Sequence, residues 1–341
     1  MCASDSLGGR RDLFADAQYA HRTLRMNLFA RAICGILLVA ASLWGHAEPL
    51  GSPIPPTVNT GRIDRHENFQ SRFVESRHID VWLPSDYTDQ KRYAVLYMHD
   101  GQGLFDATQT WNKQAWNVHV AVARLVQANK IQDTIIVGIP NGGRYRYSEY
   151  FPDKVLALAP QSVRADYVQR AQRDKPLADA YLRFIVEELK PAIDKKYSTR
   201  KEPDGTYIMG SSMGGMISIY AICEYPHVFG GAAGLSTHWV GRPSRWGPPE
   251  RLQNASLPLA AFNYLKSNLP SPNTRLIYMD RGTVGLDAIY GMHQMVVDEI
   301  AREMGYDSAH WQSRVFEGAR HAEADWAARV EIPLVFLLGK P

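Results

Sequence analysis

The feature that most constrains this chain is the stretch 207–215, which reads Tyr-Ile-Met-Gly-Ser-Ser-Met-Gly-Gly. Three apolar or aromatic residues lead into Gly-x-Ser-x-Gly, and a helix-compatible segment follows directly. This order predicts a strand, a sharp turn that exposes Ser212, and a helix whose first N–H, that of Met213, faces the turn. Gly210 and Gly214 suit such a turn because a Cβ at either position would strike the neighbouring strand or helix. Taken alone the motif also fits a flexible loop, because it is common by chance.

The glycines of the motif distinguish its two adjacent serines. They lie two residues either side of Ser212, whereas methionines occupy the corresponding positions around Ser211. We therefore expect Ser212 at the exposed tip of the turn. Ser211 is expected to point back into the fold, with its hydroxyl bonded to nearby backbone.

Unbroken apolar runs alternate with helical patterns along the chain, which predicts an α/β fold with a doubly wound, mainly parallel sheet and helices on both faces. The strand-like segments are Phe73–Leu83, Tyr93–Met98, Ile135–Ile139, Tyr207–Met209 and Leu276–Met279. The helical segments are 116–128, 178–197, 213–223, 291–304 and 322–338. Residues 153–178 are rich in charge and are expected to form a small partial cap. Ligands of such sheets bind beyond the carboxyl ends of the strands.

A serine hydroxyl is a weak nucleophile near neutral pH, so it needs a base, and that base needs an orienting acid. Behind a Gly-x-Ser-x-Gly turn the chain order is serine, acid, histidine. Of the eleven histidines, His321 lies in the loop that opens the last helix, and we expect it to be the base. His238 follows the motif closely and is expected to be a pocket wall or a structural residue.

Two aspartates near the strand Leu276–Met279 compete for the role of the acid. Asp280 lies at the strand end, where pairing with Arg281 or capping the loop is its alternative role. Asp287 lies beyond a glycine turn, where capping the following helix is its alternative. We expect Asp287 to be the acid.

An early loop offers a second N–H to stabilise developing negative charge. Residues 98–103, Met-His-Asp-Gly-Gln-Gly, follow a predicted strand, and Gly101 would let the Gln102 N–H face the same point as the Met213 N–H. The sequence contains no His, Cys and carboxylate cluster with metal-ligand spacing, and no phosphate-binding glycine loop after the first strand. No metal and no cofactor are therefore expected.

Four residues are candidates for substrate binding. Arg144 and Arg146 follow a buried strand, where they could hold an anionic or aromatic substrate through charge-assisted hydrogen bonds and stacking. A structural Arg–Glu pair packed among tyrosines is the alternative. Trp111 and Trp239 are candidates for the pocket wall, with core packing as their alternative.

Taken together, these segments resemble one branch of the α/β-hydrolases, the Putative esterase family. That branch includes enterochelin esterases, feruloyl and acetylxylan esterases, S-formylglutathione hydrolases and mycobacterial mycolyltransferases. The resemblance runs from about Phe73 to the end of the chain. The segments that carry it are 98–102, 210–215, Gly282-Thr283 with Asp287, and 318–323.

The resemblance implies an α/β-hydrolase fold and a role for each matching residue. Ser212, Asp287 and His321 match the nucleophile, acid and base of the family, and Gln102 and Met213 match its oxyanion amides. Two positions depart from the common pattern. Many relatives carry Asn at the position of Gly103 and an aromatic residue at that of Pro140. The family's substrate preferences are therefore not carried over.

The resemblance implies a serine esterase that acts on a small-molecule or saccharide ester through an acyl-enzyme on Ser212. Acyl transfer to an alcohol is an alternative, because the same acyl-enzyme serves both reactions. A non-catalytic binding protein on the same scaffold is a further alternative, which the presence of all the matching residues disfavours. The formal charge of +3 gives no reason to expect a nucleic-acid or membrane-surface partner.

Residues 1–47 are expected to lie outside the fold, which leaves a single domain over 48–341. The basic segment 25–31 precedes the apolar run 32–44, and Gly45-His46-Ala47 has small residues at the positions that signal peptidase reads. The run is short for a membrane span, although an uncleaved anchor is the alternative. We expect a secretory signal cleaved after Ala47, and a periplasmic or secreted protein with no stable membrane association. Cys223 would then be its single cysteine and a core residue.

Export is directly testable. Because the expected cleavage follows Ala47, N-terminal sequencing of protein recovered from the periplasm or the medium should begin at Glu48. A full-length product confined to the cytoplasm would contradict this expectation.

Overall fold

The computed structural model describes residues 49–241 and 255–340. Within these ranges eight strands form one sheet in the order β1-β2-β4-β3-β5-β6-β7-β8. The strands are β1 Arg62–Phe69, β2 Arg77–Leu83, β3 Ala94–His99, β4 Thr134–Ile139, β5 Thr206–Ser211, β6 Gly231–Leu235, β7 Leu276–Gly282 and β8 Trp311–Phe316. β2 runs antiparallel to β1 and β4, and the other neighbours pair in parallel.

Helices connect the parallel strands. They are α1 Val118–Gln127, α2 Arg146–Tyr150, α3 Asp153–Ala157, α4 Gln161–Ala171, α5 Ala178–Arg183, α6 Lys190–Lys196, α7 Met213–Glu224, α8 Ser256–Asn268, α9 Gly291–Met304, α10 Glu323–Arg329 and α11 Glu331–Leu338. A π-helical segment, Phe184–Leu189, joins α5 to α6. None of the helices in the described ranges is long and apolar enough to cross a membrane.

The core lies on both faces of the sheet, as the unbroken apolar runs predicted. On β3, Val95 and Tyr97 belong to a hydrophobic cluster that also contains residues of α7. Leu96 and Met98 face a second cluster, formed with residues of α1 and α11. A strand that is buried on both faces needs apolar residues at every position, which is why β3 shows no alternation. Cys223 packs against the first cluster but is only partly buried, whereas the sequence predicted a residue of the core itself.

Three strands, β1, β6 and β8, have no counterpart among the predicted strand segments. β6 reads Gly-Ala-Ala-Gly-Leu and lacks the β-branched and aromatic residues typical of strands. Its residues are small because α7 and the following loop pack closely against it; a Cβ on Gly215 of α7 would lie 3.1 Å from the Cα of Gly234. β1 is largely polar because it is an edge strand.

The predicted helix boundaries are mostly close to those observed, with one exception. Residues 322–338 form two helices, α10 and α11, with Val330 between them. The predicted signal, residues 1–47, lies outside the described residues. The chain from Pro49 onward forms one compact unit.

Candidate active site

Ser212 occupies the turn between β5 and α7 in a strained conformation. Its φ of 56° and ψ of −121° are values that residues other than glycine rarely adopt. The Ser212 N–H donates to the carbonyl of Leu235 at 2.8 Å, and the Ser212 carbonyl accepts from the His238 N–H at 3.1 Å. Backbone at the end of β6 and just beyond it therefore holds the turn on both sides.

Glycine is required at position 210 because the backbone of Gly214 lies very close to it. A Cβ at Gly210 would lie 2.7 Å from the carbonyl carbon of Gly214, so the first turn of α7 could not pack against the end of β5. Ser211 is buried, as predicted. The prediction that its hydroxyl bonds nearby backbone is wrong, because the Ser211 Oγ takes part in no hydrogen bond within the described ranges. Ser211 instead contributes to the wall of the cleft beside Ser212.

His321 and Asp287 are joined by a short hydrogen bond. The His321 Nδ1 lies 2.6 Å from the Asp287 Oδ1. Asp287 is fully buried, and its Oδ2 accepts from the Ser236 hydroxyl at 2.5 Å and from the Gly282 N–H at 2.7 Å. Burial raises the pKa of Asp287, but the hydrogen bonds that its carboxylate accepts, chiefly those from His321 and Ser236, outweigh burial and hold the pKa below its usual range.

The ionised Asp287 also determines which nitrogen of His321 carries the proton. A carboxylate can only accept hydrogen bonds, so the Nδ1 of His321 must donate. In the neutral ring the Nε2 is then the unprotonated nitrogen, and it can take a proton. This is the tautomer that a general base needs.

Asp280 lies behind this pair and makes no contact with His321. Its carboxylate accepts from Arg329, with the Nε 3.2 Å from the Oδ2 and an Nη 3.0 Å from the Oδ1. The predicted alternative partner, Arg281, donates to the Gly282 carbonyl instead. The structure thus brings Asp287, and not Asp280, to His321.

Ser212 and His321 line the same open cleft, which has a volume of about 680 Å³. The Ser212 Oγ makes no hydrogen bond to any described residue, so the two side chains face the cleft without a direct bond. Such bonds are often long in unliganded enzymes and tighten when substrate binds. Gln102 also lines the cleft, and Met213 is the first residue of α7. In the described part of the chain, neither backbone N–H has an acceptor, so both are available as donors.

The loop that carries Gln102 is fixed by Asp100. Asp100 has a φ of 54°, and its carboxylate binds Arg146 through two bonds of 2.7 and 2.8 Å and the Asn141 amide at 2.6 Å. Burial raises the pKa of Asp100, but Arg146 and Asn141 more than offset that effect and lower it. Gly101 is needed for packing, because a Cβ there would lie 2.6 Å from the backbone of Gly138 in β4. The left-handed residue of this turn is therefore Asp100, whereas the sequence pointed to Gly101.

The structure places two of the four predicted substrate-binding residues in the cleft. Trp111 is at the rim with 91% of its surface exposed, and Arg146 lines the wall while its guanidinium binds Asp100. Arg144 does not line the cleft; it lies 3.9 Å from Glu75. Trp239 is buried in the core. The predicted cap segment 153–178 contributes no cleft residue, and its apolar side chains join the core instead.

The predicted Arg–Glu pair among tyrosines exists, but with a different arginine. Glu149 binds Arg77 of β2, with a shortest distance of 2.6 Å, and both side chains are buried. His238 is also structural. Its Nδ1 lies 2.5 Å from the Tyr290 hydroxyl, and burial, with a smaller contribution from the nearby His321, lowers its pKa to about 3. His238 therefore stays neutral near neutral pH.

Sequence reasoning missed several cleft residues. They are Asn112, Gln114, Glu323 and Trp326, among others. Asn112 donates to Glu323 at 2.7 Å and so links two walls of the cleft. The ring of Trp326 packs edge-on against His321, with centroids 5.0 Å apart. Glu323 and Trp326 closely follow His321 along the chain, which was a usable signal. In the ranges described, no group of three or more His, Cys, Asp or Glu side chains could hold a metal ion.

Comparison with protein families gives one match that spans most of the chain. Residues 71–331 match the family model described as Putative esterase. Among curated proteins, the ferri-bacillibactin esterase BesA of Bacillus subtilis is 26% identical over 202 residues, which are 58% of this chain and 61% of that protein. The chain spans about three fifths of the length of the curated relatives that it matches.

Solved structures share the fold. A ferulic acid esterase of the anaerobic fungus Anaeromyces mucronatus has a TM-score of 0.55 at 17% identity, over 82% of this chain and 90% of that one. The enterobactin esterase of Shigella flexneri has a TM-score of 0.55 at 15% identity, over 86% of this chain and 61% of that one. At such identities the likeness shows the α/β-hydrolase fold alone.

The two aspartates should respond differently to neutralisation. Asp287→Asn should lower kcat for an activated ester by roughly 10⁴-fold, because an amide at this position would favour the wrong tautomer of His321. Asp280→Asn should lower the free energy of unfolding by about 3 kcal/mol, because Arg329 would lose a buried partner, and should reduce kcat far less than Asp287→Asn does. Steady-state kinetics and urea denaturation measure the two effects. An inactive but stable Asp280→Asn beside an active Asp287→Asn would reverse the assignment.

Proposed function

The chain belongs to the Putative esterase family, and from that premise we propose that it is a serine esterase that hydrolyses a carboxylic ester through an acyl-enzyme on Ser212. The observation that carries the proposal is the 2.6 Å bond between His321 and the buried Asp287, in the cleft that Ser212 also lines. An ionised acid, an oriented imidazole and a strained serine that lines the cleft are the three parts that nucleophilic acyl transfer needs.

In the proposed reaction the Ser212 Oγ attacks the ester carbonyl carbon while its proton passes to the His321 Nε2. Asp287 accepts from the His321 Nδ1 and stabilises the imidazolium that forms. The tetrahedral intermediate collapses, His321 gives the proton to the departing alkoxide, and the alcohol leaves. Water then repeats the sequence on the acyl-enzyme, releases the acid and restores the Ser212 hydroxyl.

The negative charge of each tetrahedral intermediate needs donors that are already in place. The N–H groups of Gln102 and Met213 are suited to this role, since neither is used within the described ranges. The Met213 N–H also lies at the N-terminus of α7, where the helix dipole favours negative charge. Removal of one such donor costs about 3 kcal/mol of transition-state stabilisation in a related arrangement.

The lining of the cleft suggests the class of ester. Exposed Trp111 offers an aromatic face at the rim, the largely buried Trp116 and Trp326 line the wall, and Asn112 and Gln114 offer amide groups. Relatives include an esterase named for ferulic acid and an enterobactin esterase crystallised with 2,3-dihydroxy-N-benzoyl-glycine. We therefore propose a small-molecule or saccharide ester with a ring that stacks on Trp111. Arg146 is a poor anchor for an anionic substrate because Asp100 already neutralises it.

The expected signal in residues 1–47 supports action in the periplasm or the medium. An exported esterase would meet plant-derived or siderophore-type esters outside the cytoplasm. This part of the proposal depends on the N-terminal sequencing described above.

The proposal is tested by labelling and by turnover. A fluorophosphonate probe should label the wild type and Ser211→Ala but not Ser212→Ala, with the adduct on Ser212 by mass spectrometry. Ser212→Ala should fold normally yet lose about 10⁶-fold in kcat, because removal of a triad member abolishes the covalent route. Labelling at Ser211, or full activity of Ser212→Ala, would overturn the proposal.

The substrate screen should include p-nitrophenyl, feruloyl, acetyl-sugar and catecholate siderophore esters. Product analysis in water with added alcohol distinguishes hydrolysis from acyl transfer. A free acid as the main product supports the esterase, whereas a new ester would assign acyl transfer. A folded wild type that is neither labelled nor active would favour a binding protein.

A further inference from the structure

A buried hydrogen-bond network contacts the oxygen of Asp287 that His321 does not use. Ser236 follows β6 directly, and its Oγ lies 2.5 Å from the Asp287 Oδ2. Two side chains of α10 reach the same hydroxyl: the Trp326 Nε1 donates to it at 2.9 Å and an Nη of Arg329 at 2.8 Å. The mechanism above gives Ser236 and Arg329 no role.

These contacts leave one direction for the Ser236 proton. A hydroxyl has one proton to donate and two lone pairs that accept. The indole and guanidinium N–H groups can only donate, so Trp326 and Arg329 occupy both lone pairs of the Ser236 Oγ. The proton therefore faces the Asp287 Oδ2, which accepts it.

Asp280 completes the network from the end of β7. Its carboxylate binds Arg329 through two bonds, and the Ser236 N–H donates to the Asp280 carbonyl at 2.8 Å. Ser236 and Asp280 are fully buried, and Arg329 is 4% exposed. Ser236 is also held at a φ of 47°, which a serine adopts only where its surroundings fix it. The position of the hydroxyl is thus determined by side chains and by backbone.

We propose that Ser236 is a positioning residue for the acid: Trp326 and Arg329 fix its hydroxyl as a donor to the Asp287 Oδ2, so that the Oδ1 meets His321 in one orientation. Asp280 keeps Arg329 in place for this task. The inference rests on the proposed function, in which Asp287 and His321 are acid and base. With the Gly282 N–H, the Ser236 hydroxyl gives the Oδ2 two donors, which prevents rotation of the carboxylate.

Substitution of Ser236 tests this role. Ser236→Ala should lower kcat on the order of 10- to 100-fold with KM nearly unchanged, because misplacement of a catalytic group by about 1 Å can cost 100-fold in rate. Ser148→Ala is the matched control. Ser148 is equally buried and donates one hydrogen bond, to the Gln172 carbonyl at 2.9 Å, but it does not line the cleft. It should lose stability without losing kcat.

A double-mutant cycle tests the path from Arg329 through Ser236. Arg329→Lys keeps the positive charge beside Asp280 but loses the planar fork that reaches Ser236, so kcat should fall. On the Ser236→Ala background the same substitution should have no further effect. If Arg329→Lys does not fold, Asp280→Asn, which removes the carboxylate that holds Arg329, takes its place in the cycle.

A proton NMR measurement gives a readout that needs no turnover. The His321 Nδ1–H should resonate far downfield in the wild type and be absent in His321→Ala. In Ser236→Ala this line should broaden or disappear, because a mobile carboxylate protects the proton less well from exchange with water. If the wild type shows the Nδ1–H line but has no esterase activity, the proposed function is rejected. The effect of Ser236→Ala on this line can still be measured in that case.

Two results would overturn the inference. One is a Ser236→Ala protein with wild-type kcat and an unchanged Nδ1–H line. The other is an additive loss when Arg329→Lys is combined with Ser236→Ala, which would mean that Arg329 acts on Asp287 directly across the 4.0 Å that separate them.

Discussion

The turn at Ser212 is the constraint on which the rest of the site depends. A side chain at a φ of 56° and a ψ of −121° costs about 1–3 kcal/mol. The two backbone hydrogen bonds to Leu235 and His238, worth about 0.5–1.5 kcal/mol each, offset much of this cost. They form only because β6 lies beside β5 in parallel register and because glycine at 210 lets α7 fold back against the strand. The sheet therefore stabilises the strained turn that places Ser212 at the cleft.

The edge of the sheet at which the parallel strands end also brings the other residues of the site together. Gln102 follows β3, Ser236 follows β6, Asp287 follows β7 and His321 follows β8, so neighbouring parallel strands deliver residues from distant parts of the sequence. Each of three carboxylates at this edge has partners. Asp100 binds Arg146, Asp280 binds Arg329, and Asp287 accepts from three donors. Unpaired buried charge would be too costly, so these pairs make a polar site compatible with a closely packed sheet.

The sequence predicted those features of the fold and the site that are encoded in neighbouring residues, and it predicted less well those that depend on residues far apart in the chain. The turn at Ser212 and the apolar strands are encoded in consecutive residues, and the fold class was predicted from them. The pairing of His321 with Asp287 depends on chain order and on loops at strand ends, and it remains an assignment that mutants must test. β6 was not predicted because its residues are small, as close packing of α7 against the strand requires, and small residues are not typical of strands.

Partners of buried charges could not be predicted, because they are chosen in three dimensions. Asp280 precedes Arg281 in sequence but binds Arg329, and Glu149 lies near Arg144 and Arg146 but binds Arg77. Arg144 and Arg146 occupy similar positions after β4, yet only Arg146 faces the cleft. Likewise, the core position of Trp239 depends on packing against neighbouring elements, which its own position in the sequence does not indicate.

The central claim is that Ser212 becomes covalently acylated during turnover, and rapid-quench mass spectrometry tests it most directly. The enzyme is mixed with a p-nitrophenyl ester, quenched in acid within milliseconds and digested. The account predicts a mass increase of one acyl group on the peptide that contains Ser212, formed in a burst and lost as turnover ends. Rapid ester hydrolysis with no acylated peptide at any time would contradict it.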